Sequence, residues 1–192
     1  MEYLQIRATA DSSAARFGNI ENYPDKFEMR EGIPLAGTFP ADAQYRMSPD
    51  FPDRIALREF LSCFGSQLVI DQKVKDFFEQ EKVEHLEYLP VKVLDHKGRT
   101  VKTPYCVANL FPLVDCVDPQ KTQHEVNELD DDQWSNVKNL TLRDNAIPLD
   151  FQLLRVRYIP SLMLIHRELA RKLENAAFRG FETVELSKYR WS

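Results

Sequence analysis

The feature that most constrains the fold is the stretch EYLPVKVLDHKGRTVKTPYCVANL at residues 87–110. Val91 and Val93 alternate with Lys92, as residues do on a strand that is buried on one face. The turn-forming residues DHKG follow, with glycine last, and a second alternating run begins a few residues later. This pattern predicts a central β-hairpin, around which the rest of the chain must be arranged.

Three other segments carry apolar residues at helical spacing and predict helices. They are residues 53–65, 71–82 and 167–177. Asp71 is placed to cap the second helix, because its carboxylate can accept a hydrogen bond from the first helical turn. Short apolar runs predict further strands at residues 3–8, 140–143, 151–157 and 181–186, and residues 68–70 predict a short connector or strand.

Strands and helices mix without the strict alternation that is typical of a parallel sheet. We therefore expect an α+β fold with a mostly antiparallel sheet, a central hairpin and three or four packing helices. Five of the eleven prolines lie between residues 24 and 52. Because proline lacks a backbone donor and restricts the residue before it, residues 1–54 are predicted to form an irregular segment. This segment should wrap around a domain of residues 55–192.

The composition is that of a soluble globular protein, with 43% hydrophobic and 29% charged residues. The N-terminus lacks the basic and apolar regions of a signal peptide, and no apolar run approaches the roughly 20 residues that span a bilayer. Cys63, Cys106 and Cys116 lie among apolar residues without zinc-ligand spacing. They predict buried free thiols in a reducing cytoplasm, and we expect no membrane partner.

Acidic residues are concentrated in one segment, residues 115–132, which contains seven acids and a single base, Lys121. Its net charge of −6 exceeds the −5 of the whole chain. The seven acids are Asp115, Asp118, Glu125, Glu128, Asp130, Asp131 and Asp132. Because phosphate contacts need lysine and arginine, this surface argues against a nucleic-acid partner and favours a basic protein.

Motifs of catalysis and cofactor binding are absent from the sequence. It contains no G-x-G, G-x-x-x-x-G-K, H-E-x-x-H, C-x-x-C or G-x-S-x-G pattern, and its four histidines are scattered singly. We therefore expect a protein that is not an enzyme and that binds no cofactor or metal. One alternative is a metal-dependent hydrolase in which Asp118, His124 and residues 130–132 converge from separate segments.

The stretch VNELDDDQW at residues 126–134 sets three aspartates beside a tryptophan. Consecutive carboxylates do not converge on one metal ion, but an aspartate here can cap a short helix, with Gln133 and Asp130 forming a capping box. Capping uses at most two carboxylates, so the remaining charge predicts a partner-facing surface. The predicted partner-binding residues are Glu125, Glu128, Asp130, Asp131, Asp132 and Trp134. Trp134 either anchors the contact or packs in the core beneath it.

Several segments in succession resemble a known family. They are VIDQKVKDFFEQ, the hairpin stretch described above, VDCVDP, FQLLRVR and LARKLENAAFRGFETVEL. Over roughly residues 55–187, this succession resembles the Imm11 immunity proteins of bacterial polymorphic-toxin and type VI secretion systems. This chain departs from the family pattern at His166, where a Ser or Asp often caps the last helix, and at Thr122, where a serine usually follows Asp118.

The resemblance implies a non-enzymatic protein that binds a cognate toxin or effector and neutralises it by occlusion. Nuclease toxins are commonly basic because their substrate is polyanionic, and an acidic patch could steer such a toxin and compete for its substrate surface. Besides the hydrolase, a second alternative is an adaptor module of a secretion apparatus, which would bind a partner without inhibiting it.

Overall fold

β-Strands dominate the computed structural model, which describes residues 2–25 and 27–190. Within these residues, 37% lie in strands or bridges and 13% are helical. The strands are Tyr3–Ala8 (β1), Arg16–Phe17 (β2), Gln44–Arg46 (β3), Phe60–Cys63 (β4), Leu68–Asp71 (β5), Leu86–Leu94 (β6), Tyr105–Leu110 (β7), Leu113–Val114 (β8), Gln123–Asn127 (β9), Asp130–Lys138 (β10), Leu153–Val156 (β11), Met163–His166 (β12) and Phe181–Val184 (β13). The α-helices are Gln72–Gln80 (α1) and Arg167–Asn175 (α2), and 3₁₀ turns lie at Glu28–Arg30 and Leu186–Lys188.

Most of these strands belong to two sheets. The five-stranded sheet has the order β13-β1-β12-β11-β8, and the six-stranded sheet has the order β2-β4-β5-β7-β6-β3. β9 and β10 form a separate two-stranded ribbon. Most neighbours are antiparallel, while the outer pairs β8–β11, β2–β4 and β3–β6 are parallel. Both sheets are therefore mixed at their edges.

The predicted central hairpin is confirmed as β6 and β7, which pair from Leu86 with Leu110 to Val91 with Tyr105. Gly98 closes the turn with a φ of 74°, and its N–H donates to the carbonyl oxygen of Asp95 at 3.0 Å. β7 is buried along its whole length because it lies between β5 and β6 inside the sheet. This hairpin is the centre of the six-stranded sheet, as the alternating pattern indicated.

The predicted α+β fold with three or four helices is wrong, since the described residues form only two α-helices in a mostly β structure. The helix expected at residues 53–65 is replaced by β4. Phe60 and Leu61 are both fully buried, because β4 is covered on both faces. A strand covered on both faces does not alternate between apolar and polar residues, so its spacing imitates a helix. Phe64, expected on the buried face, is 70% exposed.

The short helix expected after the acidic segment is also wrong, because these residues form β10. Trp134 and Val137 are both buried although they stand three positions apart, which an unbroken strand would not allow. Asn136 has a φ of 48°, and the pairing register shifts between Ser135 and Lys138. The resulting bulge turns both side chains to the core and so reproduces helical spacing in the sequence.

The two α-helices lie where helical spacing predicted them. The N–H of Val74 donates to Oδ1 of Asp71 at 3.0 Å, which confirms the expected cap of α1. At α2 the cap is Nδ1 of His166, which accepts from the N–H of Glu168 at 3.3 Å. Each helix has nine residues, and within the described ranges no helix combines the length and the apolar character needed to cross a membrane.

Three clusters of buried side chains hold the elements together. The shared cluster contacts both sheets and both helices and includes Leu4, Phe60 and Leu169. The hairpin cluster lies on the other face of the five-stranded sheet and includes Trp134. The N-terminal cluster lies on the other face of the six-stranded sheet and includes Tyr45. The β9–β10 ribbon is therefore attached to the rest of the protein through the hairpin cluster.

The N-terminal segment contributes to both sheets as well as to the N-terminal cluster. β1 lies inside the five-stranded sheet, while β2 and β3 form the two edges of the six-stranded sheet. Between them, Met29 and Leu35 are almost fully buried against this sheet. The division into a wrapping segment of residues 1–54 and a domain of residues 55–192 stays a prediction.

Candidate functional site

The acidic hairpin, residues 123–138, carries the predicted partner-binding residues on one two-stranded ribbon. β9 and β10 pair through Val126 with Trp134, and residues 128–129 form the turn between them. Oδ1 of Asn127 accepts a hydrogen bond from the N–H of Leu129 at 2.8 Å, which stabilises this turn. Leu129 stands at the tip and is 96% exposed.

The three consecutive aspartates have different environments. Asp130 accepts the N–H of Asp132 at 3.0 Å through Oδ1 and the side-chain amide of Gln133 at 2.7 Å through Oδ2. The predicted contact between Asp130 and Gln133 is therefore present, but it stabilises a bend in a strand. Asp131 and Asp132 are exposed, and neither side chain forms a hydrogen bond or ion pair with any described residue. Their carboxylates remain open to a cation from outside.

Two further carboxylates lie on the same ribbon. Oε2 of Glu125 accepts from Nδ2 of Asn136 at 2.5 Å, and Glu128 is exposed in the turn. From residue 123 to residue 137 the sequence contains five carboxylates and no lysine or arginine. Such an arrangement creates a negative potential that attracts basic groups.

Trp134 lies beneath this charged surface and is only 8% exposed. Its ring is stacked between His124, at 3.7 Å between centroids, and Tyr158, at 4.7 Å. Its backbone N–H donates to the carbonyl oxygen of Tyr158 at 2.8 Å. Of the two roles expected for this tryptophan, the structure places it in the core, where it fixes the ribbon to the five-stranded sheet.

Sequence reasoning missed two apolar residues of the ribbon. Leu129 is 96% exposed at the tip, and Val126 is 54% exposed. Exposed apolar side chains surrounded by carboxylates are the arrangement of an interface core with a charged rim. The signal in the sequence is that Leu129 lies between two acids and has no apolar residue two positions away on either side, as a half-buried strand would have.

The residues of the alternative metal site, Asp118, His124 and residues 130–132, do not form a group of possible metal ligands in the described part of the chain. Oδ1 of Asp118 accepts the N–H groups of Gln120 and Lys121 at 3.0 and 3.2 Å, so it caps a turn. Burial alone would raise the pKa of Asp118, but these hydrogen bonds and the Lys121 ammonium hold it below its usual value. Nδ1 of His124 lies 3.0 Å from the carbonyl oxygen of Thr122.

Among the described residues, one group of three possible metal ligands lies close together, and it consists of Glu84, His85 and Asp150. Nε2 of His85 lies 2.7 Å from Oδ2 of Asp150, and the imidazole stacks on the ring of Phe151 with centroids 3.8 Å apart. The hydrogen bond from His85 lowers the pKa of Asp150. This pair links the loop after α1 to the segment before β11, and it shares no residue with the alternative metal site.

The cysteines are free, as expected. Cys106 and Cys116 are buried, and Cys63 is half-buried. Burial raises the pKa of the Cys106 and Cys116 thiols to about 12 and raises that of Cys63 as well. All three therefore remain protonated at neutral pH, where a thiol is a weak nucleophile.

Comparison with known protein families adds a finding that is independent of this geometry. A family model described as "Immunity protein family (Imm11)" matches residues 3–188. The matched range includes both sheets, both helices and the acidic hairpin. A comparison with curated proteins gave no match.

Proposed function

The chain belongs to the Imm11 immunity protein family, and from this membership we propose that it is a cognate immunity protein. In this role it binds a bacterial toxin or effector in the cytoplasm of the producing cell and neutralises it by occlusion. Its partner is the toxin encoded beside it, and the protection depends on binding and needs no catalytic step.

The exposed carboxylates of the acidic hairpin are the observation that supports it as the contact surface. Its five carboxylates favour a partner with a basic surface, such as a nuclease toxin, because complementary charge accelerates association. Leu129 and Val126 add apolar area at the centre of this charge. A standard interface covers about 800 Å² on each partner, which is less than a tenth of the 10440 Å² that this chain exposes. The ribbon could supply a large part of it.

The test removes two charges from the ribbon through the double variant Asp131→Asn, Asp132→Asn. We expect association with the toxin encoded by the adjoining gene to slow by about three- to tenfold at low salt and to lose part of its salt dependence. The reason is that the negative potential that attracts the toxin becomes weaker. The stability of the fold should change by less than about 0.5 kcal/mol, since exposed charges contribute little. Stopped-flow or biosensor association rates at several ionic strengths measure the effect.

The matched control is Asp42→Asn, Asp53→Asn, which removes two exposed charges outside the ribbon. It should retain the wild-type rate and slope to within about twofold. If both double variants associate alike, the acidic ribbon is not the contact surface. If the wild type binds the toxin but leaves its toxicity to growing cells unchanged, the chain is an adaptor and not an inhibitor.

A further inference from the structure

A second surface feature lies away from the acidic hairpin, in a small pocket around Arg30. This pocket, the Arg30 pocket, has a volume of about 120 Å³ and is lined by Arg30, Phe27, Phe64, Asn19 and Gln67 among others. These residues come from the N-terminal segment and from the turn between β4 and β5. Three separate parts of the chain therefore converge on one arginine.

The positive charge of Arg30 is not balanced within the described part of the chain. Its Nε is buried without a hydrogen-bond partner, and its guanidinium forms no ion pair with a described residue. Its ring contact is with Phe27, at 5.8 Å from the centroid. The neighbouring carboxylate of Glu28 accepts a hydrogen bond from the hydroxyl of Tyr23 at 2.7 Å. Arginine remains charged at neutral pH. Because Arg30 forms no ion pair with a described residue, its charge has no counter-ion in this part of the chain.

Arg155 adds a second unbalanced charge on the core side of the same turn. It is only 1% exposed, and its guanidinium donates to the carbonyl oxygens of Ser66, at 3.0 Å, and Pro160. Its Nε has no hydrogen-bond partner among the residues that the structure describes. Burial, together with the nearby charge of Arg30, lowers the pKa of Arg155 to about 10. Arg155 is buried, and Arg30 is half-buried with its Nε inaccessible to solvent. Two such neighbouring cations without an ion pair among the described residues are costly, and a bound anion would reduce that cost.

The rim of the pocket is aromatic and exposed. Phe27 and Phe64 are 61% and 70% exposed. Phenylalanine and arginine are both enriched in protein interfaces relative to the rest of the surface. With a volume of about 120 Å³, the pocket has room for the carboxylate end of an acidic side chain. A guanidinium binds a carboxylate with two parallel hydrogen bonds when the geometry allows it.

We propose that the Arg30 pocket is a second docking site for the toxin and that it receives an aspartate or glutamate side chain of that protein. This inference rests on the proposed function, since its ligand is part of the same partner. The toxin would present basic residues to the acidic hairpin and one acidic residue to the Arg30 pocket. Two contacts of opposite polarity fix the orientation of a complex and reject partners that match only one of them.

The experiment compares the affinity of the adjoining-gene toxin for Arg30→Met, Phe64→Ser and the wild type. Arg30→Met should weaken binding by about tenfold or more, mainly through faster dissociation, because a charge-assisted hydrogen bond is lost. Phe64→Ser should also weaken binding, since it removes the exposed wall of the pocket. Arg171→Met is the matched control, because Arg171 is exposed on α2 and forms no ion pair with a described residue.

Urea unfolding of the same variants separates docking from a structural role. Arg30→Met should be as stable as the wild type or more stable, because it removes a half-buried charge whose Nε has no hydrogen-bond partner among the described residues. Lower stability with unchanged affinity would show that Arg30 is structural and overturn the proposal. Equal affinities for wild type, Arg30→Met and Arg171→Met would overturn the proposed role of the Arg30 pocket and leave the proposed function in place. Failure of the wild type to bind the toxin would overturn the proposed function, and this inference with it.

Discussion

At the scale of single residues, Trp134 shows how packing and charge are divided within the acidic hairpin. Its ring is held between His124 and Tyr158, while the carboxylates around it face solvent. We predict that Trp134→Ala lowers the free energy of unfolding by about 3–5 kcal/mol, because it leaves a cavity in the hairpin cluster. Urea unfolding followed by circular dichroism measures this change.

Leu129→Ala is the control for this prediction, since Leu129 is 96% exposed on the same ribbon. Its free energy of unfolding should change by less than about 0.5 kcal/mol. A Trp134→Ala variant as stable as Leu129→Ala would mean that the stack does not fix the ribbon to the sheet.

The contact between Asp130 and Gln133 could be predicted from the sequence although the backbone conformation around it could not. The sequence predicted its contact with Gln133, and the structure contains that contact. Aspartate side chains accept hydrogen bonds from groups two or three residues later in turns and bends as well as at helix N-termini. The contact therefore did not distinguish a helix from a bent strand.

At the scale of elements, the cap of α1 has a pH dependence that follows from its burial. Burial raises the pKa of Asp71 despite the hydrogen bond from Val74. A carboxyl group whose pKa is higher in the folded state stabilises the fold fully below its unfolded pKa of about 4. This contribution is lost as the pH rises through the folded pKa.

We predict that Asp71→Asn, which keeps the capping oxygen and cannot ionise, gains stability relative to the wild type between pH 4 and pH 7. Urea unfolding at both pH values measures the difference. Asp76→Asn is the control, since Asp76 is an exposed acid of the same helix. Parallel pH profiles for wild type and Asp71→Asn would contradict the prediction.

The local sequence pattern was sufficient to predict some helices and strands and insufficient to predict others. α1, α2 and the hairpin of β6 and β7 each combine a clear period with a cap or turn residue next to it, so the sequence predicted them. β4 was missed because it is covered on both faces, and β10 because the bulge at Asn136 imitates a helical period. The parallel pairing of β3 with β6 joins distant segments and leaves no local pattern.

The same distinction holds for the two candidate surfaces. The carboxylates of the acidic hairpin are consecutive or nearly so, and their charge was visible in the sequence. The Arg30 pocket combines Asn19, Arg30 and Phe64, which are separated in the chain. Because only folding brings these residues together, no spacing in the sequence indicates the pocket.

At the scale of the whole molecule, Gly180 lies at a joint between the two sheets. Its carbonyl oxygen accepts the N–H of Thr9 at 2.8 Å, and the N–H of Phe60 donates to the carbonyl of Arg179 at 3.1 Å. Gly180 has a φ of 91°, and a Cβ there would lie 2.0 Å from the carbonyl oxygen of Phe60. A side chain at this position would therefore force the backbone of residue 180 and that of β4 apart.

We predict that Gly180→Ala lowers the free energy of unfolding by at least about 2 kcal/mol. The loss should appear in a single transition, because the shared cluster contacts both sheets and should make them unfold together. Gly37→Ala is the control, since no heavy atom lies within 4 Å of the added Cβ. Two separate transitions in urea would show that the sheets unfold as independent units.

The position of β1 has a consequence for the time at which the protein becomes active. β1 lies between β12 and β13, and the ion pair of Arg7 with Glu182 joins residues 175 positions apart. At synthesis rates of about 5–20 residues per second, β1 leaves the ribosome roughly 10–30 s before its partner strands exist. Under the proposed function, this interval is a delay between the start of translation and protection.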